Sequence, residues 1–379
     1  MSNKIKVGVF GCGRGRTMVE VMSQHPDAEL VAICDKWEQG LKECEELAEK
    51  FGVKLTTYKD FDKFLEHGLD AVVLANYAIE HAPYAIKCLN AGIHVVSEVL
   101  AVNSIEEAYD LVKAVRNSKA IYSYAENYCY FKCAREMTKL YKRGDIGELL
   151  HAEGEYIHFI NYADRGPLTE NHDPKHWRNQ CSSTFYCTHA SGPIIHSTGL
   201  RPIEVMGIEV GITNDKAFGW EDNKKPSGAM IIARLENGAI CKFCPSCPYP
   251  RVPEAIWYVM YGTKGMMESD RWGATVNRIH VYHEPDVDNA KNVPIEDRHF
   301  YYEPDFNDCD LAKRVAGHAG SDFFTMDVFI DAILGRKSTE EMIDVYEALD
   351  MTLLGPLAQE SMKQGGKALP VPDFRKIEI

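Results

Sequence analysis

Between Lys4 and Tyr124 the apolar residues fall into short solid runs separated by stretches of helical spacing. The runs are Lys4 to Phe10, Leu30 to Cys34, Ala71 to Leu74, His94 to Ser97 and Ile121 to Tyr124. The stretches between them are Thr17 to Gln24, Leu41 to Phe51, Pro83 to Asn90 and Ile105 to Asn117. Runs without polar alternation are strands buried on both faces, so the pattern predicts a parallel sheet covered by helices on either side. After about residue 125 the pattern changes. A helix from Phe131 to Arg143 stops at Gly144, and longer alternating strands follow at Leu149 to Phe159, Ile203 to Val210, Ala229 to Leu235 and Ala255 to Tyr261. Helical spacing returns at Phe323 to Leu334 and Asp344 to Gln364. The expected fold class is α/β. A doubly wound parallel domain over 1–125 precedes an α/β domain over 126–379 with a large, mostly antiparallel open sheet, whose last helix can pack back on the first domain.

Composition narrows the function classes. The net charge of -14 gives no general attraction to nucleic acid or anionic lipid, and no Lys/Arg run suggests a local patch. No stretch approaches the ~18 apolar residues of a membrane span. The first strand starts so early that no signal peptide is expected, and twelve scattered cysteines then read as free thiols in a protein expected to be cytoplasmic. The cluster Cys241, Cys244 and Cys247 has no second pair of ligands and reads as strand and turn cysteines.

The candidate chemistry begins at Gly11-Cys12-Gly13-Arg14-Gly15-Arg16, directly after the first strand. Gly11 suits the tight turn, and Gly13 lets backbone approach a pyrophosphate at a helix N-terminus. The third glycine of the dinucleotide fingerprint would fall at Arg16, with Gly15 one place early. Asp35 ends the next strand, 22 residues beyond Gly13. An acid there accepts hydrogen bonds from the adenosine ribose and repels a 2′-phosphate, which favours NAD over NADP in a Rossmann domain.

From Gly92 to Ala101 the sequence G-I-H-V-V-S-E-V-L-A resembles the signature of the Gfo/Idh/MocA oxidoreductases. Further likenesses are Asp70-Ala71-Val72-Val73 with His81, Arg143 to Glu148, Tyr261 to Gly265 and Val371 to Phe374. The resemblance implies cofactor contacts from Gly11, Gly13, Arg14, Gly15, Arg16, Asp35, Asn76, His81, Glu98 and Asn127, and a second-domain sheet that forms homo-oligomer contacts. The chain departs from the pattern at Glu-Lys-Pro, where it has Glu98-Val99-Leu100. Valine carries no proton to give or take. The segment Tyr186 to Pro193, with Glu98-Val99, His151 to His158, Trp177-Arg178 and His318, is similar to the NAD-dependent α-N-acetylgalactosaminidase-type glycoside hydrolases. Phe159 and Leu100 depart from that branch, so the identity of the sugar does not carry over.

That likeness implies transient oxidation of a sugar hydroxyl, cleavage of the glycosidic bond and return of the hydride. The scheme needs acid and base groups, and Tyr186, His189, Glu153 and His158 are suitable types. Glu98, Tyr156, Trp177, Arg178 and His318 are the expected carbohydrate contacts. Glu153 and His158 stand five apart on one strand, which points them to opposite faces unless a bulge intervenes. Asn161 to Gly192 is a long polar segment of the kind that carries function. A metal held by Glu126, His158 and His189 has ligand chemistry but no spacing behind it, and none is expected. Two alternatives remain: a net sugar or polyol dehydrogenase, and a non-catalytic nucleotide-binding sensor.

Overall fold

The computed structural model describes residues 4–160, 162–210, 228–247, 249, 251, 255–271, 277–286, 291–306, 308–314, 317–336 and 341–378, without the side chains of Tyr162, Ser246, Cys247 and Gly317. The chain forms two compact units. The first comprises 1–130, 307–349 and 374–379, and the second 131–306 and 350–373. The span expected as one domain from 126 onward is therefore divided, and its 307–349 segment belongs with the N-terminal residues.

Unit one is a six-stranded sheet in the order β3-β2-β1-β4-β5-β6, built from β1 (Ile5–Phe10), β2 (Ala28–Cys34), β3 (Thr56–Tyr58), β4 (Ala71–Leu74), β5 (His94–Ser97) and β6 (Tyr122–Tyr124). Every pairing is parallel. β3 escapes the sequence pattern because its three residues are largely exposed at the sheet edge. Val7, Val9, Val73 and Val96 meet Met18 and Val19 of helix α1 (Gly15–Gln24) in the core. Phe323, Met326, Phe329 and Ile330 from the helix Ser321–Ile333 join the same core.

Unit two is a nine-stranded sheet. Its strands are β7 (Leu149–Ile157), β8 (Pro202–Glu209), β9 (Ala229–Leu235), β10 (Ile240–Cys247), β11 (Ala255–Gly262), β12 (Gly265–Ser269), β13 (Ile279–His283), β14 (His299–Tyr302) and β15 (Leu369–Pro370), in the order β14-β13-β12-β11-β7-β10-β9-β8-β15. Among the described residues only the β10–β7 pair is parallel. Cys241 and Cys244 are buried in β10, and the side chain of Cys247 lies outside the described residues. Two helices press closely on this sheet. A Cβ on Gly154 would sit 1.9 Å from the Ala190 carbonyl oxygen in the helix Thr188–Thr198, and one on Gly207 would sit 2.6 Å from the Ala358 carbonyl oxygen in the helix Leu354–Lys363. Expected as a single helix, Asp344 to Gln364 is two, Val345–Thr352 and Leu354–Lys363. The polar segment before Gly192 holds short helices at Tyr162–Arg165 and Trp177–Gln180, and Asn161 lies outside the described residues.

Candidate active site

In unit one the glycine-rich turn is built for close approach. Gly11 has φ +98°, and a Cβ there would lie 2.4 Å from the Ala75 carbonyl oxygen. Gly13 has open space around the place of its missing Cβ. A Cβ on Gly15 would meet Val9 Cγ1 at 2.9 Å, so Gly15 performs the helix-on-strand packing that the fingerprint assigns to its third glycine. Arg16, at that glycine's usual position, points outward and pairs with Glu43 at 3.5 Å. The Asp35 carboxylate accepts from the Cys12 backbone N–H at 2.6 Å and the Trp37 backbone N–H at 2.9 Å, which fixes it beside the turn. At the end of β4 both amide atoms of Asn76 are buried without a hydrogen-bond partner. An orphaned amide beside a Cβ-free turn and a strand-end carboxylate fits a dinucleotide.

His81 is buried, and its Nδ1 lies 2.9 Å from the Leu100 carbonyl oxygen and its Nε2 3.3 Å from that of Asn76. Burial pulls its pKa down to about 4, so the ring is neutral and pins the segment after β5. Glu98, directly after β5, is 5% exposed and lies 2.8 Å from Arg14 Nη2. Burial pushes its carboxyl up, against the pull of Arg14. The Arg14 side chain is committed to carboxylates: it donates to Asp322 through Nη1 at 3.0 Å and Nη2 at 2.5 Å. Asp322 also accepts from Asn127 Nδ2 at 2.9 Å and faces His318 Nδ1 at 3.0 Å. Despite complete burial, His318 and Arg14 hold the Asp322 carboxyl well below the usual range. Sequence reasoning chose His318 and missed Asp322, although both stand in the same His318-to-Asp322 motif.

In unit two an aromatic and imidazole cluster forms where β7 ends and the helix Thr188–Thr198 begins. The Tyr156 ring lies 4.8 Å from that of His189 and 5.3 Å from that of His158, and Tyr186 stacks on His189 at 6.3 Å. Arg178 Nη1 donates to the Tyr186 hydroxyl at 2.9 Å. The bond fixes the phenol oxygen beside the His189 ring. The Tyr258 hydroxyl, absent from the sequence reading, donates to the His189 carbonyl oxygen at 2.6 Å and holds the helix start in place.

Two expected residues have other duties. Glu153 lies on the opposite face of β7 from Tyr156, paired with Lys242 and with His151 at 3.2 Å. Burial would raise its carboxyl, but Lys242 and His151 together lower it, which suits a sheet-face ion pair rather than a proton donor. Trp177 is 8% exposed, packs 6.0 Å from Phe185 and carries the Arg178 guanidinium 4.5 Å over its ring. It therefore supports Arg178 from beneath instead of offering an open sugar platform. Glu126 is buried and its Oε1 accepts from the Tyr128 N–H at 3.2 Å. Among the described residues no three His, Cys, Asp or Glu side chains gather into a metal site, and no helix is long and apolar enough to cross a membrane.

Residues 5–126 match the oxidoreductase family model for the Gfo/Idh/MocA NAD-binding Rossmann fold, and residues 230–378 match the glycosyl hydrolase 109 C-terminal domain. A glycosyl hydrolase family 109 protein of Stenotrophomonas maltophilia is 25% identical over 98% of this chain and 89% of its own length. An alpha-N-acetylgalactosaminidase of Tannerella forsythia is 26% identical over 92% of this chain and 81% of its own length. Among solved structures, the WlbA dehydrogenase of Bordetella pertussis, in complex with NADH and UDP-GlcNAcA, superposes with a TM-score of 0.74 at 19% identity, covering 98% of this chain and 99% of that one. A levoglucosan dehydrogenase in complex with NADH and levoglucosan gives 0.75 at 17% identity, covering 97% of this chain and 100% of that one. With a Gfo/Idh/MocA NAD-binding domain at one end and a glycosyl hydrolase 109 C-terminal domain at the other, the chain is an NAD-dependent enzyme with glycosyl hydrolase 109 relatives.

Proposed function

We propose that this enzyme cleaves a glycoside by transient oxidation of a sugar hydroxyl, with NAD retained and recycled. The observation that carries the reading is the Arg178–Tyr186–His189 arrangement in a chain whose residue 99 is valine. A bound NAD supplies a hydride acceptor for a sugar carbon and a hydride donor after cleavage. Tyr186, its oxygen held by Arg178, takes the proton from the hydroxyl being oxidised. His189 moves the proton at the carbon made acidic by the neighbouring ketone, and His158 serves the leaving group or water. Tyr156 and Arg178 orient the sugar. Gly11, Gly13, Gly15, Asp35, Asn76, Glu98 and Asn127 hold the dinucleotide, and His81 and Asp322 position them.

The protein is proposed to be cytoplasmic, which suits the eleven described cysteines, all free thiols. Self-association through the open sheet is proposed from the exposed Ile240 and Tyr261, which flank His151 on one face.

The test incubates the full chain, without added cofactor, with a panel of nitrophenyl glycosides while following leaving-group release and absorbance of reduced nicotinamide. Release without accumulating NADH supports redox-assisted cleavage. Stoichiometric NADH with an oxidised free sugar would replace it with a net dehydrogenase, and silence in both signals would leave a nucleotide-binding sensor.

A further inference from the structure

Buried charge in unit one does not balance. Glu98 and Asp322 are 5% and 0% exposed, and they share one guanidinium, that of Arg14. Asp322 has its two oxygens filled by Arg14, Asn127 and His318. The charged groups that act most strongly on Glu98 are Arg14, Asp322 and His318, those that act most strongly on Asp322 are His318 and Arg14, and the two carboxylates repel each other. With both carboxylates ionised and His318 neutral, the cluster holds one net negative charge where little water reaches.

The sheet says what lies near that charge. Asp35 ends β2, the glycine turn follows β1, and Glu98 follows β5. In the order β3-β2-β1-β4-β5-β6, a dinucleotide with its adenosine ribose at Asp35 and its pyrophosphate at the turn extends past β4 toward β5. Its nicotinamide end reaches the Glu98 side of the sheet. That ring carries a positive charge when oxidised and none when reduced.

We propose that the Arg14–Glu98–Asp322–His318 cluster reads the redox state of the cofactor, favouring the oxidised form and taking up a proton from solvent when the reduced form occupies the site. The oxidised ring supplies the missing positive charge. When the ring is neutral, His318 or Glu98 supplies it by protonation. His318 is placed for this because its side chain is 40% exposed, so its ring reaches water while Nδ1 stays on the buried Asp322. A unit charge about 6 Å away at an effective dielectric near 20 corresponds to roughly a hundredfold in binding, and partial hydration leaves about tenfold. An enzyme that recycles NAD gains from this bias, because the resting state holds the oxidised cofactor. The inference rests on the proposed function only in taking NAD as the cofactor.

The experiment measures the dissociation constants of NAD+ and NADH by titration calorimetry on the nucleotide-stripped full chain, in two buffers of different ionisation enthalpy. It uses the wild type, Glu98→Gln and His318→Gln. In Glu98→Gln the NAD+ affinity is expected to fall about tenfold relative to that for NADH, since the isosteric amide keeps the shape and removes the charge. The wild type is expected to take up more protons on binding NADH than on binding NAD+, and His318→Gln to shrink that difference. Equal loss of both affinities in Glu98→Gln would overturn the proposal and leave Glu98 a positioning group. Should Glu98→Gln not fold, equal proton uptake for the two cofactors in the wild type would overturn it alone. Failure to cleave any glycoside, with the ratio shifted as expected, sinks the glycosidase reading and not this one. Binding of neither cofactor sinks both.

Discussion

Gly154→Ala tests whether the position of His189 is set by contact between helix and sheet. The new Cβ would lie 1.9 Å from the Ala190 carbonyl oxygen and 3.3 Å from Phe243 Cδ1. A carbon and a carbonyl oxygen need about 3 Å, so one partner must move by about 1 Å. β7 is paired to β10 on one side and β11 on the other, and cannot yield without breaking both registers. The helix Thr188–Thr198 moves instead, carrying His189, the neighbour of the clashing residue, and stretching the 2.6 Å hydrogen bond from Tyr258. Overpacking of this kind costs about 1–3 kcal/mol, and a 1 Å displacement of an acid–base group lowers turnover on the order of 10²-fold. Urea unfolding followed by circular dichroism reads the first effect, and nitrophenyl release the second. NAD binding is expected to be unchanged, because Gly154 lies in the other unit. An alanine variant with wild-type unfolding midpoint and wild-type turnover would refute the argument.

Three further outcomes follow from the geometry. Arg178→Ala removes the 2.9 Å hydrogen bond to the Tyr186 oxygen, and a hydrogen bond to a charged partner is worth about 1.5–3 kcal/mol. Its kcat/KM for a nitrophenyl glycoside should therefore fall roughly 10- to 100-fold. Glu153→Gln, which touches only the Lys242 and His151 face of β7, should leave turnover within about twofold; a large loss would return Glu153 to the proton-transfer machinery. His81, ordinarily near 6.5 and held at about 4 by burial, binds its proton more weakly when folded than unfolded. Stability is then full above about pH 6.5 and is lost as pH falls toward 4, by about 2–3 kcal/mol at pH 4.5. Unfolding curves at pH 7 and pH 4.5 should show this loss in the wild type and less of it in His81→Gln.

The sequence showed β1, β2, β4, β5 and β6 because double burial leaves solid apolar runs, and it showed a carboxylate beside the glycine turn because Asp35 directly follows β2. It could not show that Gly15 does the packing of the missing third glycine, since that depends on the distance from α1 to Val9. Tyr156, His158, Tyr186 and His189 were chosen by residue type, and the fold brings all four together. Glu153 has equally suitable chemistry but faces the other side, because side chains alternate along a strand. Asp322 was passed over because an acid at a helix start has many ordinary uses, and only its four polar contacts mark it out.

Unit one is not made in one piece along the chain. Its sheet is complete by Tyr124, yet Phe323, Phe329 and Ile330, which pack on it, and Asp322, which neutralises Arg14, lie some two hundred residues later. A growing chain on the ribosome thus carries an uncovered apolar surface until residues 307–349 emerge, and until then Arg14 has Glu98 but not Asp322 as a carboxylate partner. Any cofactor binding that depends on Asp322 therefore waits until residues 131–306 of unit two have been synthesised.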